Sequence, residues 1–125
     1  MKEETKEWLK RAEDDLPVAR RESRVTEEPS YSAVCFHSEQ AVEKFLKAFL
    51  QEHDMQIIKT HDLVFLLEQL FPLKPLWSVY RDGCERLTGY AVDTRYPGEE
   101  TTKKEADYAV KFAAEIRDVI RKEIE

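Results

Sequence analysis

The sequence predicts an all-α protein: a single up-and-down helical bundle of four long helices plus one short helix. Three observations carry this. Apolar residues recur at steps of three and four, and strict alternation is nowhere sustained. Only 3 glycines and 5 prolines accompany 37% charged residues, which suits helices better than a turn-rich β fold. The 125 residues make one domain, and folding at this size buries roughly two thirds of the unfolded chain's surface.

The first helix is predicted over Lys2 to Arg24, with Trp8, Leu9, Ala12, Leu16 and Ala19 as its apolar stripe. Pro17 removes one hydrogen bond and crowds the carbonyl of Glu13, so a kink or local break is expected there. The second helix is expected over Pro29 to His53, with Pro29 in the first turn. Tyr31, Val34, Cys35, Ser38, Ala41, Val42, Phe45, Leu46 and Phe49 share one broad face. Gln40, Glu43, Lys44, Lys47 and Gln51 share the opposite one. An apolar arc this wide marks a central helix that touches several others.

The third helix is expected to start at Thr60 as N-cap, with Asp62 in its first turn, and to end near Phe71-Pro72. Being apolar almost all round, it should be largely buried. The fourth is expected from Pro75, with Leu76, Val79, Tyr80, Cys84 and Leu87 inward and Gly89 as its terminator. Gly83, in its interior, points to close helix approach or a bend. Residues 90–101 read as a long loop containing Tyr96-Pro97-Gly98. The fifth helix opens on a capping box, Thr102-Lys103-Lys104-Glu105, and carries Ala106, Ala109, Val110, Ala113, Ile116, Ile120 and Ile124.

Composition narrows function by exclusion. Acids exceed bases by 26 to 20, a formal net charge of −6, which argues against a general polyanion binder but leaves room for a local basic patch. No apolar run approaches the ~20 residues of a membrane span, and residues 1–9 carry no apolar signal segment, so a cytoplasmic protein with no membrane contact is expected. Cys35 and Cys84 form no CxxC and no Cys/His cluster, so they are read as buried thiols and neither a metal nor a cofactor is expected. No phosphate-binding glycine loop, HExxH or GxSxG occurs. His53, at a helix end, reads as a dipole partner or an exposed side chain.

Three places could hold chemistry, each with two readings. Glu43 and Lys47 form either an ordinary i,i+4 pair on a solvent face or, with Gln40, Lys44 and Gln51, part of a pocket serving an anion. His61, in Thr60-His61-Asp62, either helps a helix N-terminus hold a phosphate or bonds to a neighbouring loop. Arg95, ahead of Tyr96 and Pro97, which would position the loop, either clamps a phosphate or pairs with a bundle carboxylate. A shared anion site of Gln40, Lys44, Lys47, His61 and Arg95 is expected to bring Lys44 or Lys47, His61 and Arg95 within ~10 Å of one another.

These residues resemble a known family. Phe36-His37-Ser38-Glu39-Gln40-Ala41-Val42-Glu43-Lys44-Phe45-Leu46-Lys47-Ala48 resembles the signature of prokaryotic HEPN domains, Thr60-His61-Asp62-Leu63 its Thr-His-Asp-Leu element, and Arg95-Tyr96-Pro97 its loop before the last helix. Trp8 with the Ala12 to Ala19 stretch resembles the family's first helix. The resemblance implies a five-helix bundle, usually a homodimer, that binds nucleotides or nucleic acid. Many such proteins are encoded beside a minimal nucleotidyltransferase and act with it, in a toxin–antitoxin-like context. Members that are metal-independent ribonucleases use an Arg-x(4–6)-His spacing, and this chain has none. The resemblance therefore implies a non-catalytic module that binds a nucleotide, RNA or another phosphate-bearing ligand and partners a nucleotidyltransferase. The alternatives are a divergent ribonuclease using His61 with Lys44, Lys47 or Arg95, and a purely structural dimer.

Overall fold

A computed structural model describes residues 1–91 and 97–125. Its elements run α1 (Glu3–Ser23), α2 (Tyr31–Glu52), α3 (Leu63–Glu68), a 3-10 segment (Pro75–Tyr80), α4 (Arg81–Tyr90) and α5 (Lys103–Ile124). The five α-helices form the expected all-α bundle, with no strand among the described residues. α2 is its axis: it packs most extensively on α1, then on α5, and also touches α3 and α4. From Ala41 to Leu50 every α2 residue except Lys44 is buried, because neighbouring helices cover the helix on several sides.

α1 runs unbroken through Pro17. Of the kink or local break expected there, the break does not occur; Leu16 and Ala19, both fully buried, anchor the helix on either side of the proline. α2 starts two residues later than predicted. Ser30 is its N-cap, its Oγ accepting the Ala33 N–H at 3.2 Å, and Pro29 lies outside the helix. His53 is the C-cap, its ring 4.2 Å from that of Phe49.

Two further expectations are corrected. The N-cap of α3 is Asp62, not Thr60: its carboxylate accepts the N–H groups of Val64 and Phe65 at 3.1 and 3.2 Å. Thr60 Oγ1 instead accepts the Asp62 N–H at 3.1 Å, turning the chain ahead of the helix. The predicted fourth helix is split, and its first half is 3-10. Three residues per turn place Lys74, Trp77 and Tyr80 towards the bundle, while Leu76 and Val79, expected inside, are 82% and 73% exposed. α4 then continues through Gly89 to Tyr90 rather than stopping at the glycine.

Cys84 and Leu87 are buried as expected, and burial pushes the Cys84 thiol up to about 12. Gly83 marks the close approach anticipated from the sequence. A Cβ there would sit 2.2 Å from Cε1 of Phe112 on α5. The capping box of α5 is complete, with the Glu105 N–H donating to Thr102 Oγ1 at 3.1 Å and the Thr102 N–H to Glu105 Oε1 at 2.9 Å.

A charged seam along the central helix

The polar face of α2 is not a solvent face. Because α2 is enclosed, its charged residues are covered along with its apolar ones. Glu43 and Lys47 have side chains only 6% and 8% exposed, and Lys47 Nζ donates to Glu43 Oε2 at 3.0 Å. Two buried charges persist only when paired and hydrogen-bonded. The pairing continues outward: His61 Nδ1 donates to the other oxygen, Glu43 Oε1, at 2.8 Å. Lys47 Nζ also lies 5.5 Å from the centre of the Trp8 ring on α1, which fixes the ammonium between a carboxylate and a π-face.

Towards the N-terminus of α2 a second acid organises two bases. Asp15 of α1 accepts Lys44 Nζ at 2.5 Å and His37 Nδ1 at 3.0 Å. Between the two clusters lies Glu39, 4% exposed, whose Oε2 accepts the Gln40 amide at 2.9 Å. Its other oxygen is buried without a hydrogen-bond partner among the described residues. Burial pushes the Glu39 carboxyl up to about 7; the Gln40 hydrogen bond opposes this, repulsion from Glu43 adds to it, and the charges of His61 and Lys47 oppose it. His61 is shifted the same way for another reason: the hydrogen bond and charge of Glu43 raise its pKa and favour the charged ring, although the side chain is 82% exposed.

Of the residues read from the sequence, Gln40, Lys44, Lys47 and His61 all fall on this seam, but not as free cations. Lys44 is engaged by Asp15, and Lys47 by Glu43. The helix N-terminus offered to an anion beside His61 is closed by the Asp62 carboxylate. Pro97 is exposed in a turn, while Arg95 and Tyr96 lie outside the described residues. Sequence reasoning missed Asp15 and His37, 22 positions apart on two helices, because no local pattern links them. It also missed Glu39, although Glu39 and Glu43 form an i,i+4 like-charge pair, a signal that something must neutralise one of them.

A cavity of about 360 Å³ opens on the seam, lined by Phe36, Glu39, Gln40, His61 and Ala91. Phe36 supplies an exposed aromatic wall, set edge-on to the His37 ring at 5.2 Å. A larger hollow of about 730 Å³ shares Phe36 and Ala91, but its charged lining is Glu28, Glu99 and Glu100, which repels anions. Among the described residues no group of His, Cys, Asp and Glu is placed to hold a metal. No helix described is long and apolar enough to cross a membrane.

The family described as HEPN domain matches residues 5–124 of the chain. The crystal structure of ST0689, an archaeal HEPN homologue, superposes with a TM-score of 0.79 at 25% identity, covering 100% of both chains. The crystal structure of TT1696 from Thermus thermophilus superposes with a TM-score of 0.80 at 23% identity, covering 94% of this chain and 96% of that one, a likeness of fold. No curated protein matches the chain.

Proposed function

The chain belongs to the HEPN domain family, and from that premise we propose that it is a non-catalytic binding module, taking a nucleotide or another phosphate-bearing ligand and acting with a separately encoded minimal nucleotidyltransferase. The nucleotidyltransferase rests on the family resemblance. The ligand rests on one observation: a single cavity of about 360 Å³ gathers the Phe36 ring, the Gln40 amide and the exposed His61 imidazole, beside the Glu39 carboxyl. That volume falls within the ~300–1,000 Å³ of ordinary ligand sites. The ring offers a stacking face for a base, the amide a hydrogen-bonding edge, and the imidazole, once protonated, a charge for phosphate. Lys44 and Lys47, tied to their acids, contribute field rather than contact. The absence of an Arg-x(4–6)-His spacing supports a role without catalysis.

Calorimetric titration and thermal shift with nucleoside mono-, di- and triphosphates test this. A ligand of the folded state raises the melting temperature through RT ln(1 + [L]/Kd). His61→Gln and Phe36→Ala should each weaken binding about tenfold or more, while Lys122→Ala on the far end of α5 leaves it unchanged. Absence of a shift with every nucleotide, or equal affinity in all three variants, overturns the reading.

A second reading has its own observation. Glu39, with its carboxyl at about 7, and His61, its pKa raised by Glu43, line one cavity and could serve as an acid–base pair for RNA cleavage. Metal-independent cleavage by the purified protein, lost in both Glu39→Gln and His61→Gln, would replace the binding reading with this one.

A further inference from the structure

Glu39 is the acid of the seam that its neighbours leave incomplete. Both Glu43 oxygens are taken, by Lys47 at 3.0 Å and by His61 at 2.8 Å, and Asp15 holds Lys44 and His37. Glu39, 4% exposed, has Oε2 matched to the Gln40 amide at 2.9 Å, while Oε1 is buried with no hydrogen-bond partner among the described residues. An oxygen cut off from water and left unmatched costs free energy, and one that persists in a folded chain calls for a partner. The neighbouring donors are committed elsewhere: Lys47 and His61 Nδ1 to Glu43, Gln40 to Oε2. Glu39 also lines the cavity of about 360 Å³ with Phe36 and His61, so a ligand can bring the missing donor. The last torsion of a glutamate is broad and two-fold, and a turn of the carboxyl presents either oxygen to the cavity.

Two walls of this cavity make opposite demands. His61, its charged form favoured by Glu43, attracts an anion. Glu39 lacks a donor and, once ionised, repels an anion. The charged groups facing it are Glu43 and Lys47 on α2 and His61 ahead of α3. Glu43 and Lys47 offset each other, so His61, Glu39 and the ligand set the local balance. One class of ligand meets both demands: an anion that carries its own ionisable hydroxyl. A terminal phosphate is such an anion, because its second ionisation falls near pH ~6. An internal phosphodiester and a sulfate ester are anions with no such proton at neutral pH. The Glu39 carboxyl, pushed by burial up to about 7, titrates close enough to a terminal phosphate for the two to hold one proton between them.

We propose that Glu39 is the specificity-determining residue of this cavity: its carboxyl shares one proton with a terminal phosphate, so the site takes phosphomonoesters and turns away phosphodiesters and sulfate esters. The proposal rests on the nucleotide-binding reading and narrows its ligand. The protonated His61 ring, with Nδ1 bound to Glu43, keeps its Nε2–H as a donor for another phosphate oxygen. An RNA chain meets the requirement only at a phosphorylated end.

Calorimetric titration tests this with the tightest-binding ribonucleoside 5′-monophosphate, its methyl ester and the matching 5′-sulfate. The parent should bind the monophosphate at least about tenfold more tightly than either proton-free analogue. Glu39→Gln keeps the size of the side chain but cannot share a proton, and its ratio should fall to within about threefold. Circular dichroism checks that its helices are intact, and the ratio in the parent is a test that needs no variant. The pH profile gives a second readout. Affinity of the parent for the monophosphate should fall as pH rises through about 7, where Glu39 and the ester both ionise, and fall less in Glu39→Gln. A monophosphate and methyl ester bound equally well by the parent overturn the proposal and leave the nucleotide cavity standing. A preference unchanged in folded Glu39→Gln overturns it as well, since the ligand's charge alone then makes the choice. Absence of binding by every monophosphate removes the nucleotide reading and this proposal with it.

Discussion

α2 and the 3-10 segment Pro75–Tyr80 treat side chains in opposite ways. α2 keeps Glu39, Glu43 and Lys47 under a tenth exposed, whereas the 3-10 segment holds Leu76 and Val79 out in solvent. The cause is position in the bundle. α2 lies between α1 and α5 and also meets α3 and α4, so little of it is left for water and its charges must be satisfied internally. The 3-10 segment packs through one edge only, with Trp77 as its buried contact against Phe49 at 4.9 Å. Periodicity decides which residues share a face. The number of neighbours decides whether that face is wet.

The largest expected effect contrasts two adjacent residues of the 3-10 segment. Trp77→Ala should cost about 3–5 kcal/mol in denaturant unfolding, the usual loss for a buried aromatic. Leu76→Ala, one position away, should stay within about 0.5 kcal/mol when measured on dilute protein. Comparable losses at both would mean that the segment packs with an α-helical period.

The seam on α2 should be as sensitive as the core. Glu43→Ala strands the Lys47 ammonium and should cost about 3–5 kcal/mol, far more than an exposed i,i+4 pair is worth. A loss under ~1 kcal/mol in the same unfolding experiment would return the pair to the surface class.

Glu39 gives the seam a pH signature. Its carboxyl binds a proton in the folded state up to about 7, against a reference value of 4.5, so the folded state holds the extra proton between those limits. Stability from this group is therefore full below about 4.5 and lost as pH rises through about 7. His61, raised above 6.5 by Glu43, acts in the same direction: its contribution is full below 6.5 and fades as pH rises through its folded value. Urea unfolding of the parent should show the stability contributed by these two groups falling from about pH 4.5 through about 7, and further through the raised folded value of His61. Glu39→Gln should remove the carboxyl part, on the order of 3 kcal/mol at most, and flatten the curve below pH 7. An unchanged slope would place the titration elsewhere.

A smaller effect is expected where α4 meets α5. Gly83→Ala brings a methyl into the Phe112 ring and should destabilise by about 1–3 kcal/mol despite the better helix propensity of alanine. A more stable variant would show that Phe112 swings aside freely.

The helices themselves are legible from periodicity and caps: the stripe of α1, the broad arc of α2 and the Thr102–Glu105 box all hold. Pro29 and Thr60 mislead because a better cap stands one or two residues on, Ser30 and Asp62. Leu76 and Val79 mislead because a 3.6-residue wheel does not apply where the chain coils at three. In the site, Gln40, Lys44, Lys47 and His61 are legible as residues but not as bonds. Asp15 comes from another helix, and Glu39 owes its character to burial, which one segment of sequence does not encode. The part expected of Arg95 and Tyr96 falls outside the described residues.

The claim that the seam serves a ligand is tested most directly by mapping where a nucleotide touches the folded chain. Backbone amide resonances followed through a nucleotide titration should shift at Phe36, Gln40, His61 and Ala91, the lining of the 360 Å³ cavity, and hold still along the Leu76–Val79 ridge. In the same titration the His61 imidazole should remain protonated to a higher pH as phosphate joins Glu43 beside it. Shifts confined to other surfaces, with Phe36 and His61 unmoved at saturation, would contradict the account.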